Sequence, residues 1–194
     1  MLIGLIITLL KPDKQDKSNP DNHRGITLLP VLYKLFEKTT LSRMYNHLKA
    51  RGIRFPDSTQ TAYQEMLSSL NATFSLQETV KYNVERGSKV FVCLMDNVKA
   101  FEVVWHTGLF IRLHELGVCN KLWRVIINAY SNMKSAVLHK GIVSKLFSIL
   151  QSSRQGSMWG TFFYLTLIDP LLISVKRNKH GAHVGDLFSG IHAQ

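Results

Sequence analysis

The sequence predicts an α+β fold on three observations. Apolar residues recur at helical spacing in several segments. Short aliphatic or β-branched runs stand between those segments rather than next to one another. Loops rich in Gly, Pro, Asn and Asp mark the changes of pattern. With 194 residues, 45% of them hydrophobic and 19% charged, the chain lies in the globular range. It contains no internal repeat and no Gly/Ser linker, so one compact unit is the expectation.

Residues 2–10 are aliphatic and β-branched and read as a strand, followed by "KPDKQDKSNPDNHRG", which has loop chemistry and no period. In "VLYKLFEKTTLSRMYNHLKARG", Leu32, Leu35, Phe36 and Leu41, continued by Tyr45 and Leu48, form a stripe that predicts a helix of about five turns ending at Gly52. "PDSTQTAY" is a turn. A second helix follows through Leu70, Phe74, Leu76, Val80 and Val84 and stops at Gly87. "KVFVCLM" is a short continuous apolar run, the pattern of a strand buried on both faces. Leu109, Leu113 and Leu116 predict a helix stopped by Gly117, and "KLWRVIINAYSN" predicts another. "KSAVLHKGIVSKLFSIL" reads as a hairpin turning near Lys140-Gly141, and "MWGTFFYLTLIDPLLISV" as a buried helix that Pro170 bends or interrupts.

The formal net charge is +11, and it is unevenly placed. Residues 1–54 hold ten Lys/Arg against four Asp/Glu, residues 55–118 five against seven, and residues 119–194 nine against two. Two basic segments around a mildly acidic middle suit a polyanion lying across a site that also holds metal cations. A basic surface that only keeps the chain soluble is the plainer alternative. Cys93 and Cys119 provide neither a disulfide framework nor zinc spacing, which favours a reducing, intracellular setting, cytoplasm or nucleus, and not secretion. "MLIGLIITLL" lacks a basic start and a cleavage site and is too short to span a membrane, so no membrane partner is expected. Walker A, G-x-S-x-G and G-x-G-x-x-G patterns are absent, and His180-x2-His183 lacks cysteines at metal spacing.

Two segments stand out chemically. Asp96 follows the apolar run at the predicted strand end, where a carboxylate is held rigidly and can reach a metal; it could equally cap a helix beginning in "NVKAFEVV", although Lys99 would then occupy the N3 position and complete no capping box. "SSRQGSMWG" places Arg154, Gln155 and Gly156 before the last predicted helix, where a cation and free N–H groups could receive phosphate. An ordinary loop-to-helix junction would look the same.

Together, "NPDNHRGITLLPVLYKLFEK", "LMDNVKAFEVVWHTGL", "SRQGSMWG" and "GAHVGDLFSG" resemble, in order and spacing, the reverse transcriptase domain of non-LTR retrotransposons, over nearly the whole chain. The resemblance implies a right-hand polymerase, with fingers at residues 1–87, a partial palm at residues 88–194 and no thumb. It also implies that Asp96 is the catalytic aspartate binding both divalent metals, Mg²⁺, of a nucleotidyl transfer. Phe101 would pack beneath the incoming sugar, Arg154, Gln155 and Gly156 would line the template and nucleotide pocket, and Arg24 would sit in the fingers near template or triphosphate. The implied partners are an RNA template, a DNA primer and dNTP.

Departures from the family pattern accompany the match. The family's aromatic-Ala-Asp-Asp turn should follow "GDLFSG" closely, yet the sequence contains no Asp-Asp pair. "TAYQEM", with Glu65, replaces a Gly-Phe segment of the fingers, and Glu102 stands where an aspartate is usual. Because Mg²⁺ is held by few, well-placed oxygens, one anchoring carboxylate predicts weak metal binding and no turnover by these residues alone. The alternative is a non-catalytic, basic RNA/DNA-binding module derived from a reverse transcriptase.

Overall fold

The computed structural model describes residues 3–58, 60–64, 66–97, 99–178 and 181–190. Glu65 and His180 lie outside the described residues. The fold is mixed α and β. In chain order the elements are β1 (Ile3–Leu10), a 3-10 turn (Pro20–Asn22), β2 (His23–Leu28), α1 (Val31–Ala50), α2 (Ser69–Glu85), α3 (His106–Glu115), α4 (Asn120–Ser131), β3 (Lys134–His139), β4 (Ile142–Val143), β5 (Phe147–Ser148), α5 (Trp159–Asn178), β6 (His183–Val184) and β7 (Leu187–Phe188). Contacts divide the chain into two compact units, residues 1–53 with 99–164, and residues 54–98 with 165–194.

The first unit is built on a mixed sheet in the order β2-β1-β3-β4, with β5 also pairing β3. β1 runs antiparallel to β2, with Thr8 opposite Gly25, and parallel to β3, with Ile6 opposite Val137. The segment "HRG", read from sequence as loop, is therefore the start of β2, where Arg24 pairs with Leu9. Its core gathers Met44 and Leu48 of α1, Leu109 and Leu113 of α3, and Ile126 and Tyr130 of α4 around Trp159, Phe162 and Phe163. Trp159 lies at its centre, 6.0 Å from Tyr130 in a stacked pair and 5.5 Å from Phe163.

The predicted helices form, but two of them leave most of the predicted stripe exposed, Leu48 being the one residue of the α1 stripe that is fully buried. In α1 the buried positions are Glu37, Thr40, Met44 and Leu48, while Leu32 is 80% exposed and Leu35, Phe36 and Tyr45 are exposed as well. Thr40 can enter the interior because its hydroxyl donates to the Phe36 carbonyl at 2.7 Å. The second unit repeats this pattern in α2, which buries Ala72 and Thr79 and exposes Leu70, Phe74 and Val84. Thr79 donates to the Ser75 carbonyl at 2.7 Å. α2 opens on a capping box, in which the Ser68 N–H donates to Asn71 Oδ1 at 2.8 Å. α5 continues through Pro170 as one helix rather than being interrupted there.

The strand predicted for "KVFVCLM" does not form. Residues 88–97 carry no regular structure, and Phe91 is 91% and Leu94 87% exposed. The physical reason is pairing: a strand needs a neighbour's N–H and C=O groups, and among the described residues no strand supplies them to this segment. Asp96 is exposed and caps no helix, since the next helix begins at His106.

Candidate functional site

A cleft of about 440 Å³ opens in the first unit. It is lined by Arg24 from β2, Phe101 from the turn preceding α3, Arg154, Gln155, Gly156 and Ser157 from the loop before α5, and Gly160 and Thr161 from the first turn of α5. Five of the six residues singled out in the sequence, Arg24, Phe101, Arg154, Gln155 and Gly156, thus meet in one cavity although they span 133 positions. The sixth, Asp96, belongs to the second unit.

Backbone pairing draws these segments together. The Thr27 N–H in β2 donates to the Gln155 carbonyl at 2.8 Å. Gly156 has φ +105, and a Cβ there would lie 2.5 Å from the Thr27 carbonyl oxygen. Only glycine permits both that conformation and that approach. From the other side, the Ser153 N–H donates to the Phe101 carbonyl at 2.7 Å and the Ser152 N–H to the Val104 carbonyl at 2.9 Å. Phe101 then rests against Tyr164, with ring centroids 5.4 Å apart.

His106 adds a third link, its Nε2 donating to the Ser152 carbonyl at 2.9 Å while its ring packs edge-on against Tyr130. Burial lowers the His106 pKa, outweighing the bond to Ser152. With a depressed folded value, the unfolded chain takes up the proton first as pH falls below about 6.5, so stability is lost in that direction. Urea midpoints should therefore drop further between about pH 7.5 and about pH 5.5 in the wild-type chain than in His106→Gln, whose amide can still donate to Ser152. Equal drops in the two proteins would contradict this role.

The two arginines differ in what they offer. Arg24 is exposed on the cleft wall. Arg154 is 4% exposed; its guanidinium carbon lies 3.4 Å from where a Cβ on Gly4 would be, and its Nη2 donates to the Lys134 carbonyl at 3.0 Å. Its Nε and Nη1, and nearby Ser135 Oγ, are buried without a hydrogen-bond partner. Burial lowers the Arg154 pKa, opposed by Tyr33, Tyr130 and Glu37. A guanidinium remains protonated under such shifts, so Arg154 sets a buried positive charge at the cleft while Arg24 presents an exposed one on its wall.

Below the loop lies a residue that sequence reading passed over. Glu37 is 1% exposed, and its Oε1 accepts from Ser157 Oγ at 2.6 Å and its Oε2 from the Met158 N–H at 2.8 Å. Burial raises its pKa, opposed first by the bonds from Ser157 and Met158 and then by Arg154 and Lys34. In the sequence it lies in the segment "NPDNHRGITLLPVLYKLFEK" that carries the family resemblance, but its residue type and spacing mark no role for it.

A metal centre is a different matter. Among the described residues, no group of three or more His, Cys, Asp or Glu side chains could hold a metal ion. The described donors therefore do not fit a divalent metal pair, and exposed Asp96 by itself does not make one.

The model of the reverse transcriptase (RNA-dependent DNA polymerase) family matches residues 11–190. The chain belongs to the reverse transcriptase family. Its relatives place this reverse transcriptase domain with the non-LTR retrotransposons. It is 29% identical over 163 residues to the RNA-directed DNA polymerase from mobile element jockey of Drosophila funebris, covering 82% of this chain and 17% of the relative. It is 27% identical over 174 residues to a 115 kDa protein in the type-1 retrotransposable element R1DM of Drosophila melanogaster, covering 86% and 15%. To the retrovirus-related Pol polyprotein from type-1 retrotransposable element R2 of Popillia japonica it is 23% identical over 170 residues, covering 87% and 23%. This reverse transcriptase domain thus spans less than a quarter of the length of these relatives. Reverse transcriptases as a family use divalent metal ions and bind RNA template, primer and nucleotides. No described helix is long and apolar enough to cross a membrane.

Proposed function

We propose that this domain supplies the template- and nucleotide-facing surface for RNA-directed DNA synthesis, with the cleft of Arg24, Phe101, Gln155 and Gly156 receiving the RNA template, the primer end and the incoming dNTP. The observation that carries the reading is the gathering of these four residues, from three separate sequence segments, into one cavity with an exposed cation in its lining. By family resemblance, residues 1–87 correspond to fingers and residues 88–194 to part of the palm of a right-hand polymerase. Phe101 would rest under the sugar, and Gln155 and Gly156 would bring backbone close to the base pair being read. Asp96 would be the metal-binding aspartate, with Mg²⁺ as the ion. A lone carboxylate does not support transfer, so catalysis is not assigned to these residues by themselves.

The test is binding of a short fluorescein-labelled RNA–DNA hybrid as a function of salt. The logarithm of affinity should fall linearly with the logarithm of salt concentration, by roughly 0.7 to 0.9 per phosphate neutralised. Arg24→Gln should weaken binding and make that slope shallower by about 1. Affinity independent of salt, or an unchanged slope in Arg24→Gln, would contradict the placement of nucleic acid at this cleft.

A further inference from the structure

The loop that walls the cleft is pinned at both ends, and the two pins differ in kind. At Gln155 the pin is a backbone bond from Thr27. At residues 157–159 it is one residue of α1, Glu37, whose carboxylate accepts from the Ser157 hydroxyl and the Met158 N–H while its backbone carbonyl accepts from Trp159 Nε1 at 2.9 Å. Ser157 Oγ in turn accepts from the Trp159 N–H at 3.2 Å. Gly156 stands between the pins in a backbone conformation that glycine alone tolerates well. Within the loop a single turn bond, from the Ser157 N–H to the Arg154 carbonyl at 3.0 Å, spans Gly156, so where that turn sits against its neighbours depends on the Thr27 and Glu37 anchors.

We infer that Glu37 is a positioning residue for the cleft: its carboxylate fixes the backbone of residues 155–158 against α1, so that Gln155 and Gly156 meet the occupant in a single geometry. The inference rests on the reading of the cleft as a template and nucleotide site. A carboxylate suits the place because both of its oxygens face donors at the start of α5, where a helix leaves N–H groups unpaired and favours negative charge. Glutamine of the same size would turn an NH₂ group toward one of those donors. Burying a carboxylate is unfavourable unless it is hydrogen-bonded and balanced by charge. Here Ser157 and Met158 provide the bonds, and Arg154 and Lys34 the balancing charge.

Hydrogen–deuterium exchange and binding of the RNA–DNA hybrid, measured on the wild-type chain, Glu37→Gln, Glu37→Asp and Ser157→Ala, test the inference. In Glu37→Gln the amides of residues 155–160 should exchange about tenfold faster while those of β1, β3, α3 and α4 keep their rates, and hybrid affinity should fall about tenfold. Glu37→Asp, which keeps the carboxylate, should restore part of both. Ser157→Ala removes one donor and leaves the acid in place, so it should move both readouts the same way by less; it carries the test if Glu37→Gln does not fold. Unchanged exchange at residues 155–160 would overturn the inference. So would loosening spread equally through β1, β3, α3 and α4, or wild-type affinity in a variant whose loop exchanges faster. Failure of the wild-type chain to bind the hybrid would refute the reading of the cleft, and the exchange measurement would still decide whether Glu37 fixes the loop.

Discussion

Trp159→Ala is expected to lower the unfolding free energy by about 3–5 kcal/mol, a large part of what a domain of this size possesses. The indole is fully buried and is touched from four directions, by Tyr33 and Phe36 of α1, Tyr130 of α4 and Phe163 of α5. Its truncation would leave a cavity walled by rigid rings that cannot collapse into it. It would also strip the Glu37 carbonyl of the Nε1–H donor that reaches it at 2.9 Å. Trp159→Phe should recover much of the packing but not the hydrogen bond, and so fall between the two. Urea unfolding followed by circular dichroism measures all three proteins. A loss under about 1 kcal/mol for the alanine variant would mean that the aromatic cluster does not organise this core.

Gly156→Ala should cost about 1–3 kcal/mol and, more tellingly, should damage the cleft. At φ +105 an L side chain is strained in any surroundings, and here its Cβ would also press on the Thr27 carbonyl at 2.5 Å, a backbone atom that cannot swing aside. Relief requires the loop to back away from β2, which breaks the bond from Thr27 to Gln155 and moves the residues facing the cavity. Gly52 provides the control. Its φ is +66 with open space around it, so Gly52→Ala meets the conformational penalty alone, about 1 kcal/mol, and should leave hybrid binding unchanged. Equal losses of stability and binding in the two variants would show that the close approach at Gly156 has no consequence.

How far the sequence could be read depended on whether a feature is local. The helices were legible because their spacing and their stopping glycines are local, and α1, α2 and α3 stop just before Gly52, Gly87 and Gly117. The buried face was legible in α3, whose Leu109 and Leu113 enter the core, but not in α1 and α2. α1 carries apolar residues on two sides, and the side that packs is the one bearing Glu37 and Thr40, polar residues whose partners lie within the fold. The strand expected at residues 89–95 failed for a related reason: apolar content records a readiness to be buried, and pairing depends on a partner elsewhere. β2 was missed because its first residues, His23, Arg24 and Gly25, have the composition of a turn and become a strand only by lying along β1. Arg24, Phe101 and the Arg154-Gln155-Gly156 loop could be grouped only through the family resemblance, since nothing in their spacing brings them together. Glu37 lies in a segment that carries the resemblance, yet neither that resemblance nor any local pattern assigned it a role. It does its work through contacts to residues about 120 positions away.

Amide chemical shifts of the isotope-labelled chain, followed as the RNA–DNA hybrid is added, test most directly where nucleic acid sits. The cleft reading predicts that the largest changes fall at Arg24, Phe101 and residues 155–161, and that they shrink together as salt is raised. Shifts confined to α4 and the β3–β4 hairpin, with the cleft residues unmoved at saturating hybrid, would contradict it.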